Sequence, residues 1–307
     1  MKITPQVKKI LACYESDNPG TKANLARILM HGKLGGSGKM VILPVDQGFE
    51  HGPARSFEAN PESYDPHYHY QLAIDSGCNA YAAPLGALEA GADTFAGAIP
   101  LILKINSSNS LISIKDQSVT ASIKDALRLG CSAIGFTIYP GSEQMLEMQE
   151  EIVALSREAK EHGIATVIWS YIRGPKISKE GELAVDNIAY GAHMAALLGA
   201  HIIKVKLPSD HLDLPEAKKV YEDKKIPVST QAERVRHVMK SSFNGKRIVV
   251  FSGGATKDEG SVYDDARAIY EGGGNGSIIG RNSFQRPRDE ALAMLDKIMN
   301  IYLGKDL

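Results

Sequence analysis

Two lysines interrupt an aliphatic run, Ile202-Ile203-Lys204-Val205-Lys206-Leu207. Aliphatic and β-branched residues in so short a run predict a strand. Its period of two puts Lys204 and Lys206 on one face and Ile203 and Val205 on the other. A buried ammonium either finds partners or loses its proton, and an uncharged lysine is a nucleophile able to form an imine with a carbonyl. Desolvation and repulsion between two amines on one face both push a lysine pKa down, toward that condition. The same run also reads as the frayed end of a strand with both lysines solvated or salt-bridged, and its geometry does not choose between the two amines.

Other chemistry-bearing residues sit at the ends of similar runs. Asp46 follows Met40 to Val45, placed either to polarise a lysine or a substrate hydroxyl or to cap the next loop by an Asx turn. Lys104 and Asn106 share a face; Lys104 either helps keep Lys204 uncharged or pairs with Asp46. Trp169, Tyr171 and Arg173 fall on one face at period two. The Tyr171 phenol could shuttle protons if a neighbouring cation lowers its pKa. Ser252, Gly253 and Gly254 end the seventh run and Gly280-Arg281 the eighth. Glycines there let backbone N–H groups approach an anion, and Arg281 adds a charge-assisted grip, so the two turns together predict a phosphate site. His51 follows the first run, within reach of a substrate. His67 and His69 resemble a metal pair, but they open a helical pattern after Pro66, where residues two apart point away from each other. No metal-ligand spacing of His, Cys and carboxylates occurs elsewhere, so no metal is expected.

The elements that carry these residues are eight apolar runs: Met40 to Val45, Asn79 to Ala83, Pro100 to Ile105, Ser132 to Ile138, Ile164 to Ile172, His201 to Leu207, Arg247 to Phe251 and Gly276 to Ile279. Helical patterns such as Ser142 to His162 and Leu183 to Leu198 separate them, and several end in a glycine, Gly77, Gly130, Gly163 and Gly199, suited to a left-handed helix cap. Eight βα units with strands apolar on both faces predict an α/β fold of the (β/α)8, or TIM-barrel, type over residues 40–307, preceded by a helical extension over 1–39. A doubly wound open sheet is the alternative, disfavoured because no GxGxxG follows the first run. The long connection from Pro208 to Lys246 is expected to hold a helix over Gln231 to Lys240. In a barrel of this type the reactive groups come from the C-terminal ends of the strands, where the polar residues above collect.

Bulk properties narrow the function. A formal net charge of -1, with lysines and arginines dispersed, gives no basis for binding nucleic acid or an anionic membrane, so an anionic substrate must be met by a local site. Three distant cysteines, Cys13, Cys78 and Cys131, suit free thiols in a reducing cytoplasm. Neither a signal-peptide core nor a run of about 18 apolar residues is found.

Taken in order, ILPVDQGFEHGPARSF (Ile42 to Phe57), Asp65-Pro66, PLILKIN (Pro100 to Asn106), GFTIYPGS (Gly135 to Ser142), VIWSYIRG (Val167 to Gly174), IIKVK (Ile202 to Lys206), FSGGA (Phe251 to Ala255) and IIGRNSFQR (Ile278 to Arg286) resemble the class I fructose-bisphosphate aldolases of archaeal and bacterial type. The resemblance implies a (β/α)8 barrel and metal-free, reversible cleavage of fructose 1,6-bisphosphate to dihydroxyacetone phosphate and glyceraldehyde 3-phosphate. It implies assembly into a homo-oligomer, as pentameric rings or decamers. By position it implies Lys204 as the imine-forming lysine, Tyr171 as the proton-transferring tyrosine and Asp46 as the aspartate after the first strand. That aspartate is more commonly followed by His-Gly, where this chain has Gln47-Gly48. Ser252, Gly253, Gly254, Gly280 and Arg281 match the phosphate turns.

The mechanism expected on this basis has Lys204 attack C2 and Tyr171 take the C4 hydroxyl proton and later protonate the enamine carbon. Asp46 orients the carbinolamine and iminium. The second phosphate is left to His51, Arg173 or Arg55. Rival readings are a sister lysine-dependent aldolase or acyl-transferring enzyme acting on another phosphorylated ketose, a non-catalytic sugar-phosphate binder, and a metal-dependent aldolase.

Overall fold

Aliphatic runs too short for a helix, each bounded by turn residues, become parallel strands here. The computed structural model describes residues 2–253 and 258–307. Its barrel strands are β1 (Met40–Pro44), β2 (Ala80–Pro84), β3 (Leu101–Lys104), β4 (Ala133–Ile138), β5 (Ala165–Ser170), β6 (Ile202–Lys206), β7 (Ile248–Ser252) and β8 (Gly276–Ile278). They pair in parallel in sequence order, and β8 returns to β1, with Met40 opposite Gly276, to close the barrel. All eight expected strands are present to within a few residues, and the open-sheet alternative falls with closure. An antiparallel ribbon of Asn106–Ser107 and Ser118–Val119 stands above β3.

Period two divides each strand between two cores. Val41, Leu43, Ile168, Ile203, Val205, Val249 and Phe251 face the surrounding helices. Met40, Ile42, Val167, Trp169, Ile202, Ile248 and Val250 fill the barrel. Lys204, in step with Ile202, therefore points inward, as the spacing of the run predicts. Helix C-termini turn back at Gly163 and Gly199, with φ of 73° and 86°, a left-handed conformation that a side chain would strain.

The N-terminal extension forms two helices, Pro5–Leu11 and Pro19–Met30. They contribute Val7, Leu25, Ile28 and Leu29 to the cluster that fills the barrel, closing the end away from the lysines. Tyr14 Oη donates to the carbonyl of His201 at 2.5 Å and accepts from the Ile248 N–H at 3.1 Å, while His201 Nε2 lies 2.8 Å from Asp17. The start of the lysine strand is thereby tied to the extension. Connection 208–246 holds two helices, Pro215–Asp223 and Gln231–Ser241, where one was expected. Pro215–Asp223 carries a short apolar stripe of Ala217, Val220 and Tyr221 but buries none of its residues. Among the described residues no helix is long and apolar enough to cross a membrane.

Candidate active site

The strands end at a cavity of about 480 Å³ lined by Asp46, Glu50, His51, Tyr171, Arg173, Lys204, Lys206, Ser252, Gly253, Gly280 and Arg281. Residues from β1, β5, β6, β7 and β8 thus converge at one mouth. Gly254 lies outside the described residues.

Lys204 is 3% exposed. Register sets its Cα beside Trp169 on β5 and Val250 on β7. Its Nζ lies 5.6 Å from the Trp169 ring centroid and 5.2 Å from that of Tyr171. Burial lowers its pKa to about 8, helped by the Lys104 and Arg281 charges and opposed by Asp46 and Glu50. Each pKa unit is worth about 1.4 kcal/mol, so the site biases this amine toward its free form by roughly 3 kcal/mol. Lys206, two residues on and less buried, is held by Glu182 at 3.4 Å. Its pKa is also lowered, again first by burial. The structure thereby separates two amines that the strand pattern leaves equivalent.

Lys104, 3% exposed, donates to the Asn106 carbonyl and, at 3.1 Å, to Asn106 Oδ1. Asn106 is itself fixed across β4, donating to Thr137 O at 2.9 Å and accepting from Thr137 N at 2.7 Å. Both roles open to Lys104 find support: its charge lowers the Lys204 pKa, and the burial that lowers its own pKa is opposed by Asp46, then Glu50. Trp169 lies under both lysines, 5.9 Å from Lys104 Nζ by its ring centroid. Its indole packs on Gly135, where a Cβ would come within 2.1 Å of the ring, so β4 needs glycine there to seat the indole. The buried Trp169 N–H has no partner among the described residues.

Tyr171 and Arg173 lie just past the end of β5, yet both still line the cavity. The guanidinium of Arg173 stacks 5.4 Å from the Tyr171 ring and 5.2 Å from that of Tyr139. The expectation that a cation lowers the Tyr171 pKa is reversed. Burial, then the Asp46 and Glu50 charges, hold the phenol well above its ordinary value, and Arg173 only partly offsets them. At neutral pH this hydroxyl keeps its proton.

Asp46, 8% exposed, stands at the N-cap of the short helix Gln47–His51, but its side chain makes no cap hydrogen bond. The Asx-turn role does not hold, and the carboxylate is left facing the cavity. His51 lines the same wall, its Nε2 3.6 Å from Glu50 Oε2; burial and then Arg55, Arg281 and Arg173 lower its pKa. Ser252 and Gly253 at the end of β7 face Gly280 and Arg281 at the end of β8. A Cβ on Gly280 would lie 2.8 Å from the Pro44 carbonyl, so only glycine lets β8 close against β1. His67 and His69 do not converge. His67 Nε2 meets Ala90 O at 2.8 Å, and buried His69 Nε2 meets Ser63 O at 2.7 Å. Among the described residues no group of three or more His, Cys, Asp or Glu is placed to hold a metal ion.

Sequence reading missed Glu50, Lys179 and Glu182. Burial and the neighbouring Asp46 raise the Glu50 pKa against the pull of Arg173, Lys104 and Lys204. Its signal was a spacing of four from Asp46, one helical turn. Lys179 lines the cavity from the loop after β5, and Glu182, in the same loop, bonds it at 2.9 Å.

Comparison with known proteins agrees with this geometry. A family described as DeoC/LacD family aldolase matches residues 40–286. The probable fructose-bisphosphate aldolase class 1 of Chlamydia muridarum is 37% identical, over 94% of this chain and 86% of that protein. The fructose-bisphosphate aldolase class 1 of Thermoproteus tenax is 37% identical, over 88% of this chain and 92% of that protein. An archaeal fructose-1,6-bisphosphate aldolase, solved with its catalytic lysine covalently bound to the carbinolamine intermediate of the substrate, superposes with a TM-score of 0.76 at 31% identity, covering 92% of this chain and 99% of that one. The chain belongs to the DeoC/LacD family of aldolases, and within it to the class 1 fructose-bisphosphate aldolases.

Proposed function

We propose that this chain reversibly cleaves fructose 1,6-bisphosphate to dihydroxyacetone phosphate and glyceraldehyde 3-phosphate through an imine on Lys204. The observation that carries the reading is a 3%-exposed lysine with a pKa near 8, aimed into a cavity with cations on either side of it.

Chemistry assigns the roles. The free Lys204 amine attacks C2 of the open-chain ketose, giving a carbinolamine. Tyr171, held protonated, donates to the C2 hydroxyl as it leaves as water, and the nitrogen lone pair forms the iminium. Asp46 takes the C4 hydroxyl proton, C3–C4 breaks, and its electron pair moves into the iminium to give the enamine. Glyceraldehyde 3-phosphate leaves, Asp46 returns its proton to C3, and water adds to the resulting iminium, releasing dihydroxyacetone phosphate and the free Lys204 amine and giving Tyr171 back its proton. This moves the base role expected for Tyr171 to the carboxylate, because a phenol of raised pKa is rarely ionised at neutral pH and so is not available to accept the proton. Ser252, Gly253, Gly280 and Arg281, with Gly254 in sequence, seat one phosphate. The second is seated on the β5 side by Arg173 and Lys206, with Lys179 at the rim and His51 across the cavity. Holding both ends fixes the reacting carbons over the amine.

The catalyst is read as a homo-oligomer of pentameric rings or a decamer, without metal. It acts in the cytoplasm in the step that glycolysis and gluconeogenesis share; three free cysteines support a reducing compartment. The assay that tests the function measures cleavage of fructose 1,6-bisphosphate with and without EDTA. Turnover that survives EDTA is expected. Loss in EDTA with recovery on a divalent ion would transfer the function to a metal-dependent mechanism.

Two further outcomes are expected. Because only the free amine attacks, kcat/KM rises with pH, is half-maximal near pH 8 and levels about one unit higher; at pH 7 about a tenth of Lys204 is unprotonated. A limb that keeps rising to pH 10 contradicts the lowered pKa. Arg281→Ala removes a charge-assisted grip worth about 1.5–3 kcal/mol, so KM for the bisphosphate rises roughly ten- to a hundredfold. An unchanged KM takes Arg281 out of the site.

A further inference from the structure

On the β5 side of the cavity a carboxylate already sits among the cations. Glu182 Oε1 is 2.9 Å from Lys179 Nζ, and Oε2 is 3.4 Å from Lys206 Nζ. Two features make this an exchangeable contact. The Lys179 side chain is 93% exposed, so water screens its half of the contact, while Glu182 and Lys206 are 17% and 21% exposed. Glu182 also sits in an irregular segment between β5 and the helix Val185–Leu197, where its side chain can swing without breaking a strand or helix. Burial raises the Glu182 pKa, but the hydrogen bond from Lys179 and the charge of Lys206 outweigh it, so the group stays an anion.

An anion among these cations competes with any other anion for them. A free small anion must displace Glu182 unaided. A phosphate tethered to a sugar whose other end is already held arrives at a high effective concentration and offers three oxygens and more charge than a carboxylate. We propose that Glu182 is a resident counter-anion that the distal phosphate of the substrate displaces from Lys206 and Lys179, making it a specificity-determining residue between bisphosphorylated and monophosphorylated ketoses. The proposal rests on the reading above that the β5-side cations seat the second phosphate.

The test measures KM for fructose 1,6-bisphosphate and for fructose 1-phosphate in Glu182→Gln, Glu182→Asp and Lys206→Met. With the competitor gone, Glu182→Gln lowers the ratio of bisphosphate to monophosphate KM three- to tenfold. Glu182→Asp, too short to span both amines, falls between it and the parent. Lys206→Met raises the ratio. A ratio unchanged or raised in Glu182→Gln overturns the proposal, since a carboxylate that only braces the loop or positions Lys206 gives that result. Should Glu182→Gln fold poorly, Glu182→Asp alone decides in the same sense. A parent chain that cleaves both sugars while the ratio ignores Lys206 places the second phosphate elsewhere and overturns the proposal alone. A parent chain that cleaves neither overturns the aldolase reading, and the proposal with it.

Discussion

Lys204→Met is expected to abolish cleavage, by on the order of 10⁴-fold or more, since no other group can replace the covalent electron sink. Lys206 is a poor substitute despite lying two residues away, because it is paired with Glu182 at the mouth and not held against the indole. The same substitution should stabilise the fold. In the native state the Lys204 pKa is about 8, against an ordinary 10.5. Between these values the unfolded chain binds more protons, so the stability of the parent rises with pH from about 8 to 10.5, and below pH 8 the full penalty is present. Methionine removes that penalty. At pH 7 the gain is at most about 2–3 kcal/mol, reduced because Asp46 and Glu50 lose a cationic neighbour. Thermal melts at pH 7 and pH 10 check it: a gain at pH 7 that shrinks at pH 10 is expected. A variant less stable at pH 7 would mean that Lys204 is a structural cation.

Tyr171→Phe is expected to lower kcat by 10²–10⁴-fold with KM moving less than about threefold, the loss typical of a removed proton-transfer group. The partly buried ring keeps its packing, and only the hydroxyl goes. Which proton it handles can be resolved with dihydroxyacetone phosphate, which has no C4 hydroxyl. If Tyr171 donates to the departing C2 hydroxyl, borohydride trapping of this ketose slows in the variant along with turnover. Normal trapping with lost cleavage would return Tyr171 to the base role and leave the dehydration donor to be found among Asp46 and Glu50.

The barrel was legible because its determinants are local. Runs such as Arg247 to Phe251 are too short and too aliphatic for helices, and the strand period fixes which residues meet inside. Lys204, Tyr171, Asp46 and Arg281 were legible as a group because strand ends in a closed parallel barrel must converge. What escaped depends on three-dimensional neighbours. The two extension helices read as an appendage, yet Leu25 and Ile28 share a core with Ile202 and Ile248. Glu182 belongs to a loop with no period, so nothing in the chain brings it to Lys206. The direction of the Tyr171 shift depends on weighing burial and two carboxylates against Arg173, a balance that residue types alone do not set.

The central claim is that one inward amine forms a covalent bond with a keto carbon. Reduction with borohydride in the presence of dihydroxyacetone phosphate, followed by fragmentation mass spectrometry of the labelled peptide, tests it most directly. The reduced adduct is predicted on Lys204, with none on Lys206 or Lys104. An adduct on either of those lysines, or no adduct from an otherwise active enzyme, would contradict the account.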